Sequence, residues 1–340
     1  MREPAFWQRP KSWKSRLLQP LAGLYGTIAA HRLDRAGFRA GLPVVCVGNY
    51  HMGGAGKTPT VLALAQILRE LGETPVVLSR GYGGKRRGPV LVDPSIHTAA
   101  DVGDEPVMLA FHVPVVVARE RVDGVAPAKS RHASVILMDD GFQNPALAKD
   151  AALIVVDSDR GIGNGCVFPA GPLRAPLPTQ LARTDALVLI GEGDAASEVV
   201  RAVAASGKPV LSASFRPDPA VVERLKGRRV LAFAGIGDPD RFFRMLRANK
   251  LDVVQQKVFA DHHLFSTHEI ERLVERAKRE GLALVTTEKD LVRLRSDGQL
   301  SNLMHQIVPF PVMLHFADIA RLRTFLSDHL SKARSFMPPS

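Results

Sequence analysis

Residues 48–58 read Gly48-Asn49-Tyr50-His51-Met52-Gly53-Gly54-Ala55-Gly56-Lys57-Thr58. Glycines in such a run let backbone N–H groups turn inward around phosphate oxygens, and a following helix N-terminus adds its positive dipole end. Gly53, Gly54, Ala55 and Gly56 would form the cradle, Lys57 would neutralise phosphate charge, and Thr58 would ligate Mg²⁺. The strict Gly-x4-Gly-Lys-Ser/Thr pattern wants glycine where His51 stands. The fit is instead to the Gly-Gly-x-Gly-Lys-Thr variant of one large branch of phosphate-loop proteins.

A second signal is Ser134-Val-Ile-Leu-Met-Asp139-Asp140-Gly141, an apolar strand ending in two carboxylates that can hold Mg²⁺ or its waters. Asp104 and Glu105 open an apolar helical run; they read either as helix-start dipole partners or as a base and a metal ligand near the nucleotide. Arg80, Arg119, Arg121 and Arg174 follow strand ends or turns, where guanidinium forks suit anion recognition. Asp261-His262-His263 lacks a third ligand at metal spacing and reads as an acid/base relay rather than a metal site. Thr286-Thr287-Glu288-Lys289-Asp290 also stands out, with no role assigned.

These residues need elements to position them. From Pro43 onward short β-branched runs (PVVCV, PVVLS, PVVVA, SVILMD, ALIVVD, ALVLI) alternate with helical patterns, which predicts a doubly wound parallel sheet covered on both faces. Val61, Leu64, Ala65, Leu68 and Leu71 recur at helical spacing after the phosphate loop. An irregular stretch from Ser212 to Lys226 reads as a linker to a second, smaller α/β domain. The expected division is therefore a basic segment over 1–40, a nucleotide-binding domain over 41–226, the smaller domain over 227–325 and a frayed tail over 326–340.

At 340 residues, with 46% hydrophobic and 23% charged residues, the chain is neither disordered nor polytopic. Its two cysteines, Cys46 and Cys166, form no disulfide framework or zinc spacing. The net charge is +11, and residues 1–40 hold eight Lys/Arg against two acids. Phe6, Trp7 and Trp13 lie among these cations, ahead of an apolar stretch from Leu17 to Ala30 that Pro20 interrupts. That stretch is too short to span a bilayer; it reads either as a helix packed on its own domain or, as tryptophan beside cations favours, as an amphipathic helix lying in a membrane interface. Nucleic-acid binding is not expected, because no further basic-aromatic platform follows.

The ordered motifs GNxxxGGxGKTP, SRGYGG, GDEP, ARxR, DDGFQ, GNG with PAGPLR, FxDHH and TTEKD resemble those of the tetraacyldisaccharide 4'-kinase (lipid A 4'-kinase) family over nearly the whole chain. The resemblance implies a phosphate-loop fold and transfer of phosphate from ATP, with Mg²⁺, to the 4'-hydroxyl of a tetraacylated glucosamine disaccharide 1-phosphate. It implies a monomer acting peripherally at the cytoplasmic face of the inner membrane. Carried over, Lys57 and Thr58 contact phosphate and Mg²⁺, Asp139 and Asp140 form the acidic strand end, and Glu105 joins the metal shell. Asp104 with His262 is the base pair, and Arg119, Arg121 and Arg174 meet substrate or the transferring phosphate. The chain departs from the family pattern at Ala175, where an acidic residue is usual, and at Asn144, where histidine is usual. Two other readings fit the loop: a membrane-cycling ATPase switch, and a kinase or ligase for small molecules without membrane contact.

Overall fold

The computed structural model describes residues 4–295 and 298–336. The apolar runs form β1 (Val44–Gly48), β2 (Pro75–Ser79), β3 (Val90–Leu91), β4 (Val115–Val117), β5 (Val135–Asp139), β6 (Ala151–Asp157), β7 (Ala186–Ile190) and β8 (Val210–Pro217). With β9 (Arg229–Ala234), β10 (Asp252–Val258), β11 (Ala283–Thr287), β12 (Ile307–Phe310) and β13 (Val312–Phe316) they build two sheets. The nine-stranded sheet has the order β13-β8-β7-β6-β1-β5-β2-β4-β3 and is parallel except at its two edges. The second, β10-β9-β11-β12, is wholly parallel.

In the large sheet β1 lies between β5 and β6, so the chain order reverses there. Ligands of doubly wound sheets collect at such a switch point, outside the carboxyl ends of the strands. The loops that follow β1 and β5 both open at this place, and they carry the glycine-rich run and Asp139-Asp140. The helix Lys57–Glu70 covers one face with Val61, Leu64, Ala65 and Leu68 buried, as its spacing predicts.

Several boundaries differ from the sequence expectation. The stretch from Ser212 is no linker: β8 runs to Pro217 and a helix, Pro219–Leu225, follows. The smaller unit does not extend to 325, because β13 pairs antiparallel with β8 of the large sheet. The helix Ile319–Ser335 then packs Leu322, Phe325, Leu326 and Leu330 into the same core as the helix Lys57–Glu70. Most of the expected tail is therefore structural, and its residues 337–340 lie outside the described residues. The two sheets are also joined by an ion pair between Arg241 and Asp157, with the Arg241 guanidinium over the Phe215 ring.

The N-terminal segment forms helices Trp13–Leu17 and Gln19–Leu33. The latter is apolar on two sides, which corrects the expectation of one apolar and one polar face. Ala22 and Gly26 face the body of the protein, where Gly26 meets Pro176 and Val167. Trp13, Leu17, Leu21, Leu24 and Ile28 all stand exposed, at spacings that place them along one stripe. Trp7 is not part of that stripe: it is only 5% exposed, and its Nε1–H donates to Pro169 O at 3.1 Å. Among the described residues no helix is long and apolar enough to cross a membrane.

Candidate active site

The phosphate loop leaves β1 at Gly48 and enters its helix at Lys57. Gly56 has φ +90°, and a Cβ there would lie 2.7 Å from Ile190 Cδ1 and 2.9 Å from Phe215 Cζ. Only glycine makes this turn and this approach together. Asn49 Nδ2 donates to Gly53 O at 3.0 Å, and Met52 N donates to Pro172 O at 2.9 Å. These bonds fix the loop from both flanks. Ala55 is buried, while Gly53 and Gly54 line the open side. Thr58 lies in the first turn of the helix, whose N-terminal N–H groups are unpaired within it.

Asp139 and Asp140 end β5 with opposite environments. Asp140 takes the left-handed conformation at φ +45°, costly for a residue with a Cβ and characteristic of functional sites. Its Oδ1 lies 3.7 Å from Lys57 Nζ and 3.0 Å from Arg174 Nη1. Burial alone would raise its pKa, but Lys57 and Arg174 hold it at about 2. Asp139 is pushed up to about 7 by burial, with the neighbouring Glu105 and Asp140 charges adding to it. Ser79 Oγ donates to Asp139 Oδ2 at 3.3 Å, whereas Asp139 Oδ1 is buried without a partner.

The three expected arginines separate in the structure. Arg174 also donates from Nε to His51 O at 3.2 Å, so it ties the loop to Asp140. Arg119 is exposed beyond the carboxyl end of β4. Arg121, expected at the transferring phosphate, is enclosed at 1% exposure. Its Nη1 donates to Ala118 O and its Nη2 to Asp139 O, at 3.2 and 3.0 Å. It therefore braces the end of β5 from within the body of the protein, with its Nε buried and unpartnered.

Asp104 and Glu105 begin the helix Asp104–Ala110. Asp104 Oδ1 accepts from the Glu105 N–H, and Oδ2 lies 3.1 Å from His262 Nδ1. Burial acts to raise the Asp104 pKa, but the His262 hydrogen bond with Lys289 and Arg293 holds it well below the usual carboxylate range. His263, beside His262, turns away to Glu269 and belongs to the smaller unit's own packing. Among the described residues no three acidic, histidine or cysteine side chains form a ready metal cage.

Opposite Asp104 stand two cations: Lys289, which the sequence singled out without a role, and Arg293, which it did not single out. Arg293 donates to Asp104 Oδ2 from Nε and Nη2 at 2.9 and 2.7 Å, and Lys289 Nζ lies 3.0 Å from Glu105 Oε1. The available signal was that Lys289 and Arg293 lie four residues apart, one helical turn, in the helix that follows Thr287. Tyr82, 73% exposed, places its ring 6.0 Å from that of His262. The departures at Ala175 and Asn144 are accommodated locally: Ala175 O accepts from Gln180 Nε2, and Asn144 Oδ1 accepts from Ala146 N, both at 2.8 Å.

Residues 14–331 match the family model for LpxK, tetraacyldisaccharide-1-P 4'-kinase. The chain is 66% identical over 334 residues to a tetraacyldisaccharide 4'-kinase of Bradyrhizobium diazoefficiens, covering 98% of each chain. It is 63% identical to the Nitrobacter winogradskyi enzyme of the same name, over 98% of this chain and 99% of that one. Among solved structures it is similar to LpxK from Aquifex aeolicus in complex with ATP, with a TM-score of 0.71 and 26% identity over 93% of this chain and 99% of the other.

Proposed function

The chain belongs to the tetraacyldisaccharide-1-P 4'-kinase family, and on that premise we propose that it transfers the γ-phosphoryl group of ATP to the 4'-hydroxyl of a tetraacylated glucosamine disaccharide 1-phosphate, in lipid A synthesis. The observation that carries this reading is the pairing of Asp104 with His262 beside the acidic strand end and the phosphate loop. A phosphate loop alone serves any nucleotide hydrolase, whereas a carboxylate–imidazole pair next to it suits an alcohol acceptor.

The loop N–H groups and Lys57 would hold the β- and γ-phosphates. Arg119, exposed at its strand end, would meet an anionic group of substrate. Asp104 would receive the acceptor hydroxyl proton at a carboxylate oxygen, and His262 would share it. A base held so far below the usual range is weak, which suits a loose phosphoryl-transfer state in which the hydroxyl loses its proton late. The buried, unpartnered Oδ1 of Asp139 and the raised pKa of that group suit the binding of a cation. Thr58, Asp139, Asp140 and Glu105 would hold Mg²⁺, most of whose remaining ligands come from phosphate and water. When bound, that ion neutralises charge developing between the β- and γ-phosphates.

The exposed stripe from Trp13 to Ile28, within a strongly basic segment, supports docking on the cytoplasmic face of the inner membrane. Labelled ATP incubated with the acylated disaccharide 1-phosphate, the same disaccharide without acyl chains, or no acceptor tests the reading. Label is expected in the acylated acceptor. Hydrolysis without transfer would replace the kinase with an ATPase switch, and efficient transfer to the deacylated sugar would remove the lipid requirement.

A further inference from the structure

Besides the turn that carries His262, the helix Glu288–Arg295 is a part of the smaller unit that reaches the acids of the site. It is fixed at several points. Glu288 accepts a hydrogen bond from the Val312 backbone, where the chain re-enters the large sheet. Asp290, fully buried, accepts from Gly235 N at 3.1 Å and from Thr287 Oγ1 at 2.7 Å. Arg293, its side chain 3% exposed, spends its guanidinium on Asp104, Gly235 O and Asp290. Two of its N–H groups converge on Asp104 Oδ2 and both Nη1 donors are taken by Gly235 O and Asp290, so four of its five donors are committed.

Lys289 differs from these anchors. Its ammonium makes one close contact, to Glu105 Oε1 at 3.0 Å, with Asp104 Oδ2 farther off at 3.8 Å. It is a single charge on a flexible stem, carried on a helix that other residues already hold in place. Glu105 is close enough to Asp139 to oppose ionisation there. Lys289 therefore neutralises one member of a group of four carboxylates: Asp104, Glu105, Asp139 and Asp140. That ammonium is a point charge with one short contact, without the converging hydrogen bonds that lock Arg293, and a divalent cation outcompetes it for a carboxylate.

We propose that Lys289 is a removable counter-ion, which holds Glu105 while the nucleotide site is empty and gives it up when Mg²⁺ and nucleotide bind. Lys289 thereby sets the Mg²⁺ concentration at which nucleotide is bound. This rests on the reading that Glu105 joins the metal shell.

The test is calorimetric binding of ADP to the full chain across a series of Mg²⁺ concentrations, with no turnover involved. Lys289→Met is expected to lower the Mg²⁺ concentration for half-maximal enhancement of ADP affinity about three- to tenfold, the scale of a partly exposed ion pair. Lys289→Arg should restore the wild-type value, and Lys289→Gln serves as the neutral variant if the methionine protein does not fold. In a Glu105→Gln background, loss of the lysine should no longer shift the Mg²⁺ dependence. An unchanged dependence in both neutral variants, or an equal shift in the Glu105→Gln background, overturns the proposal. If Glu105→Gln alone leaves the Mg²⁺ dependence unaltered, the metal-shell reading fails instead, and the counter-ion role falls with it.

Discussion

His262 Nδ1 lies 3.1 Å from Asp104 Oδ2, joining residues 158 positions apart in the chain and belonging to different sheet units. Arg293 and Lys289 approach the same carboxylate oxygen from the smaller unit. The carboxylate proposed as base is thus oriented from the half of the molecule that does not carry the phosphate loop. Its strength and its position depend on the same interface.

Asp104→Asn is expected to lower kcat by about 10²- to 10³-fold, the lower part of the range for a general base, with little change in ATP affinity. His262→Ala should lower it less. The double variant should be no worse than Asp104→Asn, since residues acting as a unit are non-additive. Steady-state kinetics of the three variants decide this: multiplicative losses refute the pair, and a large loss of ATP binding in Asp104→Asn makes that residue a metal ligand.

Lys57→Ala is expected to cut turnover by about 10²-fold or more, because it acts on charge at the transferring phosphate. Its fold should survive, as the Lys57 ammonium has only the long contact to Asp140 among its described ion pairs. Near-normal turnover, with circular dichroism unchanged, would remove Lys57 from the mechanism.

Arg121→Ala should instead act on stability. It strips two buried carbonyls, Ala118 O and Asp139 O, of their donor, which costs about 2 to 4 kcal/mol. Urea unfolding measures this directly. Arg119→Ala, at an exposed position, should leave the urea midpoint in place while raising KM or lowering kcat.

Replacing Leu17, Leu21, Leu24 and Ile28 together by serine should weaken sedimentation with anionic liposomes and raise KM for the acylated acceptor more than KM for ATP. All four are exposed, so each change should alter stability by no more than about 0.5 kcal/mol. Trp7→Ala is the contrasting control: the buried ring and its bond to Pro169 make it a core deletion, costing about 3 to 5 kcal/mol. Unchanged liposome binding in the serine variant would return the stripe to an ordinary surface.

Burial pushes the His51 imidazole down to about 4. Its Nδ1 donates to Met52 O at 2.7 Å and its Nε2 is buried without a partner. Below an ordinary histidine pKa of about 6.5 the unfolded chain takes a proton that the native ring refuses, so stability is lost as pH falls from there to about 4, by up to about 1.4 kcal/mol per pH unit. Asp139 acts in the opposite sense: its raised pKa means a contribution lost as pH rises from about 4 towards 7. The difference in urea stability between wild type and His51→Gln isolates the histidine. That difference should decline as the medium is acidified, and a pH-independent difference would mean that His51 titrates normally.

The phosphate loop, the acidic end of β5 and the parallel sheet were legible in the sequence because each is a local matter. Glycines at a strand-to-helix turn, a β-branched run closed by carboxylates and apolar residues at helical spacing carry their meaning within about fifteen residues. Residues 312–335 were misassigned because strand partnership is not local: β13 belongs to the large sheet only through its antiparallel register with β8. Arg119 and Arg121, two positions apart, read alike as strand-end cations. Burial against Ala118 and Asp139 turned one inward and left the other in solvent. The motif names Asp104, His262 and Lys289 as residues; tertiary structure decided that they meet. Their charges lie on separate units, and only the packing of the helix Glu288–Arg295 and of the turn carrying His262 against the start of the helix Asp104–Ala110 brings ammonium, guanidinium and imidazole to one pair of carboxylates, where low polarity makes each contact count.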